Sequence, residues 1–273
     1  MIAGSDPKII AETLSNELNS CRQWLVDNKL SLHVGKTEAI LFGTKRRLRK
    51  VSSFEVKCDN ETIKNVNSVK YLGIQIDEDL AGESIVKEIV KKANTRLKFL
   101  YRCKDLLNFE SRKTLCTALI QCHFDYACSS WFPGINTTLM KKLQIMQNKI
   151  IRFILNMKCR DSIRNKELLK AGYLDVSNRV KQMKMNHVFK IKNQTCPPYM
   201  QSNFNRLNEN TDRMTTRGSA HNFFLPRVCG QGSSTFFFTA IKEWNALSTN
   251  LKCIENENSF KEKLKQELKN EML

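Results

Sequence analysis

The stretch Leu30-Ser-Leu-His-Val-Gly-Lys-Thr-Glu-Ala-Ile-Leu-Phe42 marks the point where the sequence changes from a helical to a strand-like period. Before it, Asp6-Pro7 is typical of a helix N-cap followed by proline at the first helical position. Apolar residues then recur at helical spacing at positions 10, 14, 18, 21 and 25. After it, short β-prone runs lie at 39–42, 54–58 and 69–76, separated by turn residues. The pattern predicts a helix of about five turns, followed by the edge of an antiparallel sheet.

Beyond Gly82 the sequence is mainly helical. One apolar stripe runs through positions 86, 89, 90, 93, 97 and 100, and a second runs through 139, 143, 146, 150, 153 and 154. Further helices are predicted at 111–120, 171–193 and 237–247 and from Ser259 onward, with a long loop or extended crossing at about 201–232. The fold class is therefore α+β. We expect three regions: residues 1–80 with the strands, a basic helical region at 81–170, and a helix and loop region at 171–273.

The positive charge is unevenly distributed along the 273 residues. The formal net charge is +18, and residues 81–170 contribute +11 of it, with 18 Lys/Arg against 7 Asp/Glu. A basic field of this kind attracts polyanions, which makes nucleic acid the expected partner. The alternative is a charge that only keeps the protein soluble.

Ten cysteines are present, but none of them are spaced Cys-x-x-Cys, and no signal-peptide pattern opens the chain. We expect a reducing, intracellular compartment, the nucleus or the cytoplasm, with Cys116, Cys122 and Cys128 as small core residues. No apolar run approaches the roughly 20 residues that cross a bilayer, so no membrane partner is expected.

The run Lys45-Arg-Arg-Leu-Arg-Lys50 is read as a basic loop. Three interpretations remain open for it: contact with a phosphate backbone, nuclear targeting, or a solvated hairpin tip.

An ordered set of short motifs resembles the jockey-like, LINE-type non-LTR retrotransposon reverse transcriptases, which are RNA-directed DNA polymerases. Each motif is weak alone, and the match rests on their order and spacing over nearly the whole chain. The set is Trp24 to Leu32, Gly35-Lys36-Thr37, Tyr71-Leu72-Gly73, Asp125-Tyr126 with Trp131, Met146 to Arg152, Pro197-Pro198-Tyr199, Trp244 to Leu247 and Ser259-Phe260-Lys261.

The resemblance implies roles for particular residues. Lys36 corresponds to the lysine of polymerase motif D, which approaches the triphosphate and can protonate the pyrophosphate; from spacing alone it is a surface lysine at a turn. Tyr71, Leu72 and Gly73 correspond to the primer-grip hairpin, although the alternation at 69–76 by itself predicts one half-buried strand. Residues 1–80 then resemble part of a polymerase palm and 81–170 a thumb. The basic residues expected to touch nucleic acid are Lys45, Arg46, Arg47, Lys91, Lys92, Arg96, Lys98, Arg102, Lys141, Lys149 and Arg152.

In the same family the metal-binding Asp-Asp pair immediately precedes a segment like residues 1–8. The resemblance therefore implies that the catalytic carboxylates lie upstream of this sequence and that the chain is a truncated, C-terminal portion. Asp77, Glu78 and Asp79 are expected to be helix caps rather than substitutes for that pair. We therefore expect no bound cofactor, Mg²⁺ only in a complete polymerase, and no polymerisation by this chain alone.

The expected partners are an RNA template, a DNA primer, and the palm and fingers part of the same polyprotein. Two other interpretations stay open: a non-enzymatic nucleic-acid-binding module retained for a host role, and a fragment without function.

Overall fold

The computed structural model describes residues 1–204 and 221–273. The chain is mixed helix and sheet, 60% helical with few short strands, which agrees with the α+β prediction. Two compact units, Met1–Ile85 and Val86–Leu273, are described separately below. Within the predicted long loop at 201–232, residues 205–220 lie outside the described part of the chain. The assignment of the three predicted regions to palm, thumb and C-terminal part stays a prediction.

The first unit is built on one long helix. Helix α1 (Pro7–Asp27) begins where the Asp6-Pro7 pattern predicts, and the Asp6 carboxylate accepts a hydrogen bond from the backbone N–H of Lys8 at 2.9 Å. The strands that follow are β1 (Glu38–Ala39), β2 (Lys57–Cys58), β3 (Glu61–Thr62), β4 (Lys64–Asn65), β5 (Ser68–Tyr71) and β6 (Ile74–Asp77), with the short helix α2 (Lys45–Leu48) between β1 and β2. A small core of Ala11, Ala39, Phe54, Val56, Cys58 and Ile63 joins α1 to β1, to β2 and to the segments next to β2 and β4.

The strands differ from the predicted single antiparallel edge in two ways. They pair only two by two, and β1 with β4 is parallel, whereas β2 with β3 and β5 with β6 are antiparallel. The predicted continuous strand at 69–76 is wrong, because the chain reverses at Leu72-Gly73 and β5 pairs back on β6. Both turn residues have positive φ, 47° and 82°, which is the backbone of a two-residue hairpin turn. Because apolar residues alternate on both sides of this tight turn, the sequence pattern is the same as that of one continuous strand.

The second unit is helical. Helix α3 (Glu83–Arg102) leads into it, followed by α4 (Phe109–Cys116), α5 (Cys122–Asp125), α6 (Cys128–Trp131), α7 (Thr137–Ile154), α8 (Asn165–Ala171), α9 (Val176–Lys192), α10 (Pro198–Gln201), α11 (Phe236–Asn245), α12 (Thr249–Lys252) and α13 (Glu257–Asn270). A π-helical turn, Thr117–Gln121, joins α4 to α5. The predicted helices at 86–100, 139–154 and 171–193 are confirmed as α3, α7 and α9, whereas α8 was not predicted.

Helix α9 is the centre of this unit, because it packs against α7, α11 and α13. Its Phe189 stacks on Phe260 of α13 at 4.4 Å between ring centroids, and Phe260 lies 5.9 Å from Trp244 of α11. All three rings are buried. Aromatic pairs of this kind add to the free energy gained from apolar burial. The C-terminal helices are therefore held to the unit by an aromatic core.

The cysteine expectation is confirmed in part. All ten thiols are free, and Cys116 and Cys128 are buried as predicted. Cys122 is exposed, so the expectation that it is a core residue is wrong. At about 100° per residue, a spacing of six turns a side chain by about 240° around a helix, so Cys116 and Cys122 lie on different faces and only one of them reaches the core. Among the described residues, no helix has the length and apolar character needed to cross a membrane.

Candidate nucleic-acid interface

Lys36 lies on an exposed turn of the first unit. A short 3-10 helix, Val34–Lys36, precedes β1, and the backbone N–H of Lys36 donates to the His33 carbonyl at 3.0 Å. The Thr37 hydroxyl donates to the same carbonyl at 3.1 Å. The turn is thus held by local hydrogen bonds, and the lysine side chain extends from it into solvent. This position permits contact with an anionic ligand, and the motif D role stays a prediction.

The β5–β6 turn presents its three predicted primer-grip residues to solvent. Tyr71 is 62% exposed and Leu72 72% exposed, and Gly73 is exposed between the two strands. A side chain at Gly73 would carry the strain of its positive φ, which explains the glycine in local terms. An exposed aromatic ring beside an accessible backbone turn is able to pack against a nucleotide or a protein surface.

In the acidic run that follows the hairpin, Asp77 caps the next helix as expected, whereas Asp79 bonds to the turn that precedes this helix. The Asp77 carboxylate accepts from the backbone N–H of Ser84 at 3.0 Å, in the first turn of α3. Asp79 accepts from the backbone N–H of Ala81 at 3.0 Å. In the described part of the chain, no group of three or more His, Cys, Asp or Glu side chains is arranged to hold a metal ion.

The basic run at 45–50 forms helix α2 over most of its length, so the interpretation as a loop is wrong. The Thr44 hydroxyl accepts from the backbone N–H of Arg47 and begins the helix, which sequence reasoning missed because a four-residue helix has no apolar period. Lys45 pairs with Asp79 at 3.2 Å, while Arg46 and Arg47 are exposed. This short helix presents its positive charges along its surface.

Helix α3 carries the predicted basic residues on two different flanks. Lys91, Lys98 and Arg102 are exposed and lie within about 40° of one another around the helix axis, since each residue advances the helix by about 100°. None of these three side chains forms an ion pair or hydrogen bond with a described residue. They form the cationic stripe of α3, and their charges are available to a ligand.

Lys92 and Arg96 lie on the other flank, next to His123 of α5. Lys92 pairs with Glu88 at 2.7 Å. Burial, and then the charges of Lys92 and Arg96, lower the pKa of His123 from its ordinary value. His123 Nε2 is buried and without a hydrogen-bond partner in the described structure. This flank is therefore partly occupied by contacts within the unit.

Helix α7 presents a second basic face. Lys141 and Lys149 are exposed, and Ile145, one turn from each of them, is 57% exposed. Arg152 is half-buried, and its Nε donates to the Asp161 carbonyl at 2.8 Å. Arg152 therefore contributes to holding the chain after α7, in addition to any contact with a ligand. The basic face of α7 is Lys141 and Lys149 around Ile145.

Several motif residues that carried the resemblance make contacts inside the second unit. Asp125 accepts two hydrogen bonds from Arg179 of α9, from Nε at 3.1 Å and Nη2 at 2.7 Å. The Trp131 indole donates to the Tyr126 carbonyl at 3.0 Å, and Gln147 donates to the Leu174 carbonyl at 2.9 Å. These hydrogen bonds hold separate segments of the second unit together. Arg179 is a partner of Asp125 that sequence reasoning missed.

The Trp244-Asn245 motif also makes hydrogen bonds inside the second unit. The Asn245 amide donates to the Phe223 carbonyl at 2.8 Å and accepts from the Phe223 N–H at 3.0 Å, as a strand neighbour does. Trp244 Nε1 donates to the His221 carbonyl at 3.0 Å. Lys252 is buried and donates to the Asn245 carbonyl at 2.8 Å, and burial lowers the pKa of its ammonium. These residues tie the segment from His221 onward to α11.

No family model matches this chain, and the comparison with curated proteins finds no similar sequence.

Proposed function

We propose that the chain is the C-terminal portion of a jockey-like retrotransposon RNA-directed DNA polymerase and that it binds template-primer nucleic acid through the cationic stripe of α3. The ordered motifs support the family. The single observation that carries nucleic-acid binding is that Lys91, Lys98 and Arg102 share one helical flank without an ion-pair partner among the described residues. From Lys91 to Arg102 the stripe covers about 16 Å of helix, which matches about five nucleotides along a duplex axis.

The basic face of α7 supports the same ligand. Two exposed lysines flank an exposed isoleucine, which combines phosphate contact with an apolar contact to sugar or base. Contacts to phosphates position a duplex without reading its sequence, so weak sequence preference is expected. In the first unit, Lys36 and the Tyr71–Gly73 turn take the motif D and primer-grip roles in this proposal.

Binding of an RNA–DNA hybrid at several salt concentrations tests the proposal. Each lost phosphate contact reduces the slope of log affinity against log salt by about 1. The variant K91Q/K98Q/R102Q is therefore expected to reduce the slope by about 3. The matched control is K158Q/R160Q/K166Q, which removes three exposed charges outside both faces and is expected to leave the slope nearly unchanged.

Equal losses in the two variants would mean that binding follows net charge alone and would contradict the assignment to α3. Absence of salt-sensitive binding in the unmodified chain would refute the proposed function. A primer-extension assay with an RNA template, Mg²⁺ and dNTPs completes the test, and we expect no extension because the 273 residues contain no adjacent aspartate pair.

A further inference from the structure

An open cleft of about 600 Å³ lies in the first unit beside α2. Its deeper wall is apolar and is formed by Leu41, Leu48, Val51 and Phe54, of which Phe54 is buried and the other three are half-buried. Phe54 belongs to the small core of the unit, and Leu41 and Val51 pack against it. The contacts that hold this wall in place are therefore contacts of the small core. The volume of the cleft is in the range of small-molecule sites.

The rim of the cleft is polar, and most of its side chains make no hydrogen bond or ion pair with a described residue. It includes the guanidinium of Arg49 and the hydroxyls of Ser52 and Ser53, all exposed. None of these three side chains makes a hydrogen bond or ion pair with a described residue. Lys45, also on the rim, uses one contact to reach Asp79 at 3.2 Å and keeps further ammonium donors. Four donor side chains therefore face one space next to an apolar wall.

Donors of this kind select the ligand by charge and shape. Arginine binds phosphate through two parallel N–H bonds, and hydroxyls and an ammonium add further donors to the same anion. The apolar wall suits a flat heterocyclic base, and the Glu78 carboxylate on the rim is an acceptor for sugar hydroxyls or base N–H groups. Since Lys45 is already paired with Asp79, Arg49 is the rim cation that has no ion-pair partner among the described residues, and a single phosphate group matches its fork of N–H donors.

We propose that this cleft binds one nucleoside monophosphate unit, with the phosphate at Arg49, Ser52 and Ser53 and the base on the apolar wall. The unit is either a free nucleotide or the 5′-phosphorylated end of a strand, since both present the same chemistry. The inference goes beyond the proposed function, because it requires no residue of α3 or α7.

Calorimetric titration of the full chain with AMP tests the site, with adenosine and inorganic phosphate as partial ligands. We expect AMP to bind with a dissociation constant between about 10 µM and 1 mM, and each partial ligand at least tenfold more weakly. Arg49→Gln should weaken AMP binding at least tenfold. Arg46→Gln removes an exposed arginine of the same short helix that does not line the cleft, and should change the affinity less than twofold.

A second variant, Ser52→Asp, places a negative charge on the rim without touching the apolar wall and should also abolish AMP binding. Circular dichroism confirms that each variant is folded. A 5′-phosphorylated oligonucleotide that competes with AMP, when its 5′-hydroxyl form does not, identifies a strand end as the source. Competition by neither form assigns the site to free nucleotides.

Three results would overturn the proposal: no saturable AMP binding, equal losses for the two arginine variants, or equal affinity for AMP and inorganic phosphate. The result is independent of the proposed function, since K91Q/K98Q/R102Q is expected to bind AMP with unchanged affinity. Loss of hybrid binding with retained AMP binding, or the reverse, separates the two proposals.

Discussion

Replacing Asp125 by alanine is expected to destabilise the second unit strongly, although the residue lies in a motif that suggests a functional role. Asp125 accepts from two nitrogens of Arg179 and from the Gln121 amide at 2.9 Å. The side chains of Asp125 and Arg179 are 20% and 34% exposed, so the substitution leaves a largely buried guanidinium without its counter-ion. Loss of one partner of a fully buried pair costs about 3–5 kcal/mol.

Partial exposure of both side chains reduces that cost, because solvent screens the remaining charge. We therefore expect Asp125→Ala to lower the free energy of unfolding by about 2–3 kcal/mol, or Tm by roughly 5–10 °C for a unit of this size. Urea denaturation followed by circular dichroism measures the loss. Asp105→Ala, at an exposed position, is the matched control and is expected to change the stability by less than about 0.5 kcal/mol.

A double-mutant cycle separates the ion pair from other effects of the substitution. If the pair is the cause, Arg179→Met in the Asp125→Ala background should restore part of the loss, since the unpaired charge is removed. A loss below about 0.5 kcal/mol for Asp125→Ala, or purely additive effects in the double variant, would refute the reasoning.

Three further predictions concern other parts of the chain. Asn245→Ala should cost about 1–3 kcal/mol in urea denaturation, because both backbone groups of Phe223 lose their partner, and Asn245→Asp should not restore the stability, since its second oxygen faces the Phe223 carbonyl with no proton to donate. Gly73→Ala should cost about 1–2 kcal/mol through its positive φ, whereas Gly35→Ala, without positive φ, should be nearly neutral; equal effects would contradict the hairpin turn. His123 has a lowered pKa in the fold, so unfolding takes up a proton and stability falls as pH decreases through about 6.5; NMR titration should place its midpoint below 6.5, and His123→Gln should flatten that part of the stability profile.

The helices were predictable from the sequence because their apolar stripes are long. In α3 and α7 the apolar positions recur every three or four residues over about five turns. All of these positions are buried as predicted except Val90, which is half-buried. The start of α1 was predictable for a different reason, since the Asp6-Pro7 pair acts locally. These helices and their ends depend on residues that are close together in the sequence, so they are predictable from the sequence alone.

The strands and the cleft were not predictable in the same way. Strands of two residues have too few positions for a period, and the parallel pairing of β1 with β4 depends on contacts 26 residues apart. The turn at Leu72-Gly73 places an apolar residue at positive φ, which sequence preferences do not favour. The cleft beside α2 combines residues from several short segments, and only the charge of its basic run was visible beforehand.

The intramolecular bonds of the motif residues change where function should be sought. Asp125, Trp131, Gln147 and Asn245 each use their polar atoms to hold one segment of the second unit to another. A side chain whose hydrogen bonds are satisfied inside the fold has little left for a ligand, so the observed role of these residues is to stabilise the second unit. The side chains that retain unused hydrogen-bonding capacity are of a different kind: the cations of α3 and the rim of the α2 cleft. Substitutions in the first group should therefore change stability and those in the second group should change binding, and a variant set that reversed this division would contradict both proposals.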